Sequence, residues 1–195
     1  MKDFNIVIAG VGGQGILTLG YIISKTAMDQ GFDVRMAEVH GLSQRYGAIV
    51  CHIRFGKKIF SPLVMCGKAD LVIGLEPLEG LRNAYYGSKK TVFLLDNYPI
   101  IPVSVYLFNK KYPKLEEIGE DLKPFSKKVI FVNASKKAKE LAGNVIAANI
   151  YMVGAAVSKR LLPLRKDLVF KNIKGVIKPK YYEVNEKVFN AAFEV

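Results

Sequence analysis

The chain has 195 residues, 50% of them hydrophobic and 24% charged, with a formal net charge of +12. That balance excludes a disordered chain and gives length for one substantial core, while the longest apolar run, Val145–Val157, carries Asn149 and is too short to cross a bilayer. The first apolar run is only six residues long and leads into glycines, so no secretory signal is expected and the chain is read as a single cytoplasmic domain, residues 1–195.

The opening stretch Phe4–Thr18, FNIVIAGVGGQGILT, sets the frame of the fold. A short, β-branched run from Phe4 to Ala9 predicts a strand. Gly10, Gly12 and Gly15 then stand at the G-x-G-x-x-G spacing, with a fourth glycine at Gly13, and the apolar pattern that resumes at Ile16 predicts a buried helix ending before Gly31. Strand, glycine turn and helix in that order form the first half of a βαβ unit, whose backbone N–H groups can approach an anion. The same turn also serves strand–helix packing alone. A dinucleotide site further requires an acid about 20 residues on, at the end of the second strand. Asp33 has roughly that spacing but stands at the strand's start, and Glu38, nearer the end, runs into the polar loop His40–Tyr46.

Phe32–Val39 is the predicted second strand. After Gly47, Ala48–Phe55 reads as a strand, Gly56-Lys57 as a two-residue turn, and Ile59-Phe60 as the return arm of a β-hairpin before Pro62. Ala69–Leu75 is a buried strand; Pro77 suits the first turn of a helix through Leu78, Leu81 and Ala84 that closes at Gly87. Thr91–Leu95 is another strand with Asp96-Asn97 at its end, and Ile100–Phe108, broken by Pro102, reads as an edge strand or hairpin. A short helix at Leu115–Ile118, a strand at Val129–Val132, a lysine-rich helix at Asn133–Leu141 and a long helix at Asn144–Leu162 come next, then shorter helices interrupted by Pro179. The expected fold is α/β: three-layered and Rossmann-like, a mostly parallel sheet with an antiparallel hairpin insertion.

Cys51 and Cys66 form no disulfide framework or C-x-x-C pair and are read as buried, reduced thiols; two are too few to hold an iron–sulfur cluster. Cys51 and His52 are strand neighbours and face opposite ways, which argues against a shared metal. The positive charge comes largely as pairs: Lys57-Lys58, Lys89-Lys90, Lys110-Lys111, Lys127-Lys128 and Lys136-Lys137. Spread along the chain, they read as a solvated surface, or as a field that steers an acidic partner. No nucleic-acid motif accompanies them.

GVGGQGILT after the first strand, EVHGLSQRYG after the second, SPL, ADLVIGLEPLEGLR, and GNVIAANIYMVGA in the long helix occur in that order. Together they resemble the beta subunits of indolepyruvate:ferredoxin oxidoreductases, which are equivalent to the gamma domain of the wider 2-oxoacid:ferredoxin oxidoreductase family. EVHGLSQRYG, in place of the G-P-E-x-R-G-G type stretch of pyruvate and 2-oxoglutarate gamma subunits, favours the arylpyruvate branch; Tyr46 stands where the family commonly has a small residue. The resemblance implies a subunit of an enzyme that oxidatively decarboxylates 2-oxo acids with thiamine diphosphate, coenzyme A and iron–sulfur clusters. The alpha subunit carries the thiamine and cluster motifs, and an acidic ferredoxin takes the electrons. Alternatives are a gamma subunit acting on pyruvate or another 2-oxo acid, and a free-standing NAD-dependent dehydrogenase.

With that resemblance, Gly10, Gly12, Gly13, Gln14 and Gly15 are the candidate cofactor-binding residues, through backbone N–H groups and the Gln14 amide. Glu38, His40, Ser43, Gln44 and Arg45 are the candidate substrate or partner loop, with Arg45 able to grip a carboxylate or phosphate in two places. His40 is a possible general base or a structural imidazole. Glu38 and Glu76, at strand ends, are expected to be paired at a turn or a helix start, and Asn149 to make a buried hydrogen bond or to pack across an interface. No catalytic or metal-binding residue is assigned. The hairpin Ala48–Phe60 and the long helix are expected to offer exposed faces to the alpha subunit.

Overall fold

The computed structural model describes residues 3–40, 47–101, 105, 109 and 111–194. Six strands form one sheet: β1 (Phe4–Val11), β2 (Asp33–His40), β3 (Ala48–Gly56), β4 (Leu71–Gly74), β5 (Val92–Asp96) and β6 (Lys128–Val132). Seven α-helices occur among the described residues: α1 (Ile16–Asp29), α2 (Pro77–Arg82), α3 (Leu115–Leu122), α4 (Ala134–Ala142), α5 (Ala148–Ser158), α6 (Lys166–Val176) and α7 (Tyr182–Ala191). The strand order is β2-β3-β1-β4-β5-β6. β1, β4, β5 and β6 run parallel, and β3 runs antiparallel to both its neighbours, β1 and β2. The mostly parallel, three-layered expectation therefore holds.

β1 lies inside the sheet and is covered on both faces, which is why its sequence is nearly all apolar. Ile6 and Ile8 point with Ile53, Phe55, Leu71 and Ile73 into the larger core, against α1, α5, α6 and α7. Val7 points with Val72, Phe93 and Leu95 into a smaller core closed by Ile118 and Leu122 of α3. α1 ends in a Schellman pattern, with Gly31 N–H donating to Met28 O (2.8 Å) and Phe32 N–H to Ala27 O (3.1 Å). No described helix is long and apolar enough to cross a membrane.

The structure corrects three sequence expectations. The hairpin is β2–β3, paired from Asp33↔Gly56 to His40↔Ile49; Gly56-Lys57 is not its turn. Ile59 and Phe60 belong to an irregular segment, 57–70, held over the sheet by Arg54 Nη1 donating to Ser61 O (3.0 Å) and Val64 N–H to His52 Nδ1 (3.3 Å). A strand able to pair with both β1 and β2 satisfies its backbone on both sides, which a short return arm could not match. Second, the helix expected over Asn144–Leu162 as the longest is only α5, Ala148–Ser158, shorter than α1, and offers no face to a partner: Ala148 to Ala156 are buried throughout, as an all-round apolar helix must be. Third, Cys51 is buried, with its thiol pushed up to about 12 by burial and by the neighbouring Glu38 charge, but Cys66 is exposed on the irregular segment. Of the predicted strand Ile100–Phe108, Ile100 and Ile101 are not in a strand, and most of the remainder lies outside the described residues.

Candidate functional site

The glycine turn lies at the rim formed by the C-terminal ends of the parallel strands, where open α/β sheets place their ligands. β1 ends beside the start of β3 (Val11↔Ala48), and Gly12 N–H donates to Gly47 O at 2.9 Å. Gly47, which leads into β3, therefore lies against the glycine turn.

Gly13 and Gly15 have φ of 98° and 74°, a left-handed backbone that glycine adopts without a Cβ penalty. Gly15 is the N-cap of α1, with no side-chain cap and no acid in the first turn. The N–H groups of Gly13, Gly15, Ile16, Leu17 and Thr18 have no acceptor among the described residues, the first i→i−4 bond being Leu19 N–H to Gly15 O at 3.0 Å. Such a helix start is suited to an anionic group. Two expected donors are spent elsewhere. Gly12 N–H serves Gly47. Gln14 folds back: its Oε1 accepts Val11 N–H (2.8 Å) and its Nε2 donates to Leu75 O (2.7 Å), pinning the ends of β1 and β4 together. Gly10 lies buried beneath that amide, where a Cβ would fall 2.6 Å from Oε1.

A cavity of about 500 Å³ opens here, within the range of small-ligand sites. Gly12, Gly13 and Gln14 form one wall, Tyr98 and Ile100 after β5 another, and Val145 and Ile146 before α5 a third, with Leu75, Ser135 and Ala148 completing the lining. Among the described residues that line it, no carboxylate, imidazole, amine or thiol occurs. The walls are nonetheless braced by buried acids. Glu76 caps α2, accepting Glu79 N–H (2.8 Å), and also holds Ile100 N–H (3.3 Å) and the Tyr112 hydroxyl. Burial and the bond to Glu76 push the Tyr112 hydroxyl well above its usual range, so it stays a donor. Asp96, fully buried, takes Ser135 N–H (3.1 Å to one oxygen) and the Ser135 hydroxyl, fixing the start of α4. Burial raises the Asp96 carboxyl above the ordinary range, and the Ser135 bonds partly reverse this. Asn149, 5% exposed, donates from Nδ2 to Gly15 O at 3.1 Å, the buried hydrogen bond expected of it.

Ser43, Gln44 and Arg45, with Tyr46, lie outside the described residues. Glu38 and His40 are on β2, two strands and about 10 Å from β1, and neither lines the cavity. His40 is exposed and has no hydrogen-bond partner among the described residues. Asp33 sits at the opposite edge, accepting Ile59 N–H (2.8 Å) and pairing with Arg35 (2.6 Å), so it cannot meet a ribose at this rim. Sequence reasoning missed Tyr98, Ile100, Ser135, Val145 and Ile146. The available signal was position for Tyr98 alone, which follows the predicted strand Thr91–Leu95; Ile100 stood in a predicted strand, and Ser135, Val145 and Ile146 in the first turns of predicted helices.

Comparison with known proteins agrees with this geometry. The family model for pyruvate ferredoxin/flavodoxin oxidoreductase matches residues 5–195. Indolepyruvate oxidoreductase subunit IorB of Pyrococcus horikoshii is 40% identical over 97% of this chain and 94% of its own length. The subunit of the same name from Archaeoglobus fulgidus is 41% identical over 97% and 93%. The chain shares its fold with the gamma subunit of a keto/oxoacid ferredoxin oxidoreductase from Geobacter sulfurreducens (TM-score 0.68, 22% identity, 98% of this chain and 96% of that one). It also matches 30% of a 2-oxoglutarate:ferredoxin oxidoreductase chain from Magnetococcus marinus (TM-score 0.73, 17% identity, 98% of this chain). By a match that runs almost from end to end, and by relatives of about two-fifths identity, the chain belongs to the pyruvate ferredoxin/flavodoxin oxidoreductase family.

Proposed function

We propose that this chain is the small subunit of a ferredoxin-dependent oxidoreductase that oxidatively decarboxylates arylpyruvates, and that it walls a site whose reactive groups reside on a larger subunit. One observation supports the reading: the cavity presents unspent backbone N–H groups and apolar walls, and the Tyr98 and Ser135 hydroxyls are the sole side-chain groups able to exchange a proton among its described lining residues, with no carboxylate, imidazole, amine or thiol. A surface of that kind binds and orients. It does not turn over substrate unaided. The relatives named indolepyruvate oxidoreductase subunits supply the substrate class.

In this reading, thiamine diphosphate and iron–sulfur clusters belong to the larger subunit. Thiamine diphosphate supplies the electron sink for loss of carbon dioxide. Two cysteines, one buried and one exposed on another segment, do not fit cluster ligation by this chain. Gly13, Gly15 and the first turn of α1 fit an anionic group, either the carboxylate of the 2-oxo acid or a phosphate of coenzyme A, the acyl acceptor. The Magnetococcus marinus enzyme, 30% of whose chain this fold matches, has been solved with coenzyme A bound, in keeping with the second choice. Tyr98 and Ile146 offer apolar area to the remainder of the ligand, and the Ser135 hydroxyl, held by Asp96, offers a fixed polar contact.

The test is reconstitution with a thiamine-binding large subunit, followed by indolepyruvate-dependent reduction of a viologen dye. Activity should require both chains. Full activity of the large subunit alone, or the lack of any complex between the two, overturns the proposal. Gly13→Val should cut the rate of the assembled enzyme by blocking backbone approach to the anion. An unchanged rate removes the anion cradle from the proposal.

A further inference from the structure

A second cavity, of about 280 Å³, adjoins the first along the α1 start. Gly12, Gly13 and Gln14 face the larger cavity, Gly15 and Thr18 the smaller, and Ile146, 65% exposed, lines both. Two carboxamides set the chemistry of the smaller one. Asn149 of α5 and Asn185 of α7 both line it and are only 5% and 8% exposed. Each amide nitrogen is spent: Asn149 Nδ2 donates to Gly15 O (3.1 Å) and Asn185 Nδ2 to Tyr181 O (2.8 Å). A backbone carbonyl accepts only from a donor, so these bonds fix which way round each amide lies and leave its Oδ1 as the free end. Among the described residues neither Oδ1 has a donor, and no wholly enclosed side-chain oxygen is left without a partner. Both oxygens therefore open onto the space their residues line.

Two acceptor oxygens drawn out of water call for a donor on the ligand, because an acceptor left unpaired in a pocket is costly. No described residue lining this cavity is charged. An ammonium group is disfavoured, since it would find no carboxylate here on a chain of net charge +12. An anion is repelled by the amide oxygens. What fits is a neutral N–H donor on an apolar body, and Ile150, Ile177 and Val184 supply the apolar contact. The volume suits a single ring system and is too small for a whole cofactor.

We infer that the smaller cavity is a subsite for a planar ring bearing an N–H donor, selected by the amide oxygens of Asn149 and Asn185. The indole of an arylpyruvate has this chemistry, and that source rests on the proposed function. With its carboxylate at the free N–H groups of the α1 start, such a substrate would carry its ring past Ile146, the residue common to both cavities. A purine base shares the chemistry, and its exocyclic amine would meet the same oxygens. A ring of equal shape without the N–H would bury apolar surface but leave both oxygens unpaired, so the site discriminates by the donor and not by size.

The chain has no tryptophan, so the emission of an added indole reports the indole's own surroundings. Adding the full chain to indole-3-acetate should shift that emission to the blue and raise its anisotropy. Benzothiophene-3-acetate, which keeps the bicyclic shape and the acid but has sulfur in place of N–H, should compete about tenfold more weakly, the factor one hydrogen bond supplies. Asn185→Leu should weaken indole-3-acetate about tenfold and erase the difference between the two compounds. Val184→Phe, which fills the cavity and leaves both amides in place, should abolish binding of both, and it decides the matter where Asn185→Leu does not fold. Adenosine that displaces the indole, and loses affinity in Asn185→Leu, supports the inference with a purine as the ring. Equal affinity for the two acetates overturns it, as does unchanged binding in folded Asn185→Leu or Val184→Phe, or binding of neither indole-3-acetate nor adenosine to the wild type. Reconstitution with the large subunit judges the proposed function separately. A chain that restores indolepyruvate-dependent viologen reduction but fails these titrations loses the inference alone, and one that passes them but restores no activity loses the proposed function alone.

Discussion

Replacing Gly15 by alanine tests how the α1 start is built. At φ 74° a Cβ costs about 1–2 kcal/mol relative to glycine. The new methyl would also lie closer than 3.0 Å to Asn149 Nδ2, so Asn149 must move and give up its 3.1 Å bond to Gly15 O. That bond is worth about 1 kcal/mol, at the lower end of the cost because Gly15 O keeps Leu19 N–H as a donor. The expected total is about 2–3 kcal/mol, or a drop in Tm of roughly 4–12 °C for a chain of this size. A double-mutant cycle by urea denaturation separates the two causes. With Asn149→Ala already in place, Gly15→Ala should cost only the backbone part, and the cycle should show about 1 kcal/mol or more of coupling. Additivity within about 0.5 kcal/mol would refute the contact. A Gly15→Ala protein as stable as the wild type would refute the left-handed cap itself.

Gln14→Leu should destabilise by about 2 kcal/mol, since it strips partners from Val11 N–H and Leu75 O at once; a urea midpoint unchanged within error would show that the brace between β1 and β4 is unnecessary. Glu76→Ala leaves the donors of Glu79, Ile100 and Tyr112 without their shared acceptor, so it should cost about 3 kcal/mol or more and release the segment around Ile100 to limited proteolysis before the core is cut. His52 is buried and its pKa is lowered by that burial from the ordinary 6.5. The unfolded chain therefore takes up a proton first as pH falls, and the stability His52 contributes is present above pH 6.5 and lost as pH drops toward its lower folded value. Wild type should accordingly lose stability relative to His52→Asn between pH 7 and 5, and parallel pH–stability curves for the two proteins would contradict this.

The parallel half of the fold was legible because each strand there is a short apolar run between turn residues, and because Pro77 and Gly31 mark a helix start and a helix end. Asn149 was legible as well, since an amide inside an apolar helix must find a partner. The position of β3 was not. Its sequence alternates only in part, and local pattern cannot tell whether a strand pairs with the chain before it or the chain after it. Only long-range pairing with both β1 and β2 settles that. The glycine turn was found, but the availability of its donors was not: that Gln14 turns inward depends on Leu75, 61 residues away. The remaining walls of the cavity come from four connections, each unremarkable alone, that the crossover topology brings to one rim.

The β2–β3 pairing fixes both ends of the connection between the two strands: eight registered residue pairs anchor its feet, and Gly47, where the chain enters β3, accepts the Gly12 N–H of the glycine turn. The register and the Gly47 carbonyl both belong to the feet. A lineage could thus edit the six residues between them while the sheet, and the helix start it presents, keep their form.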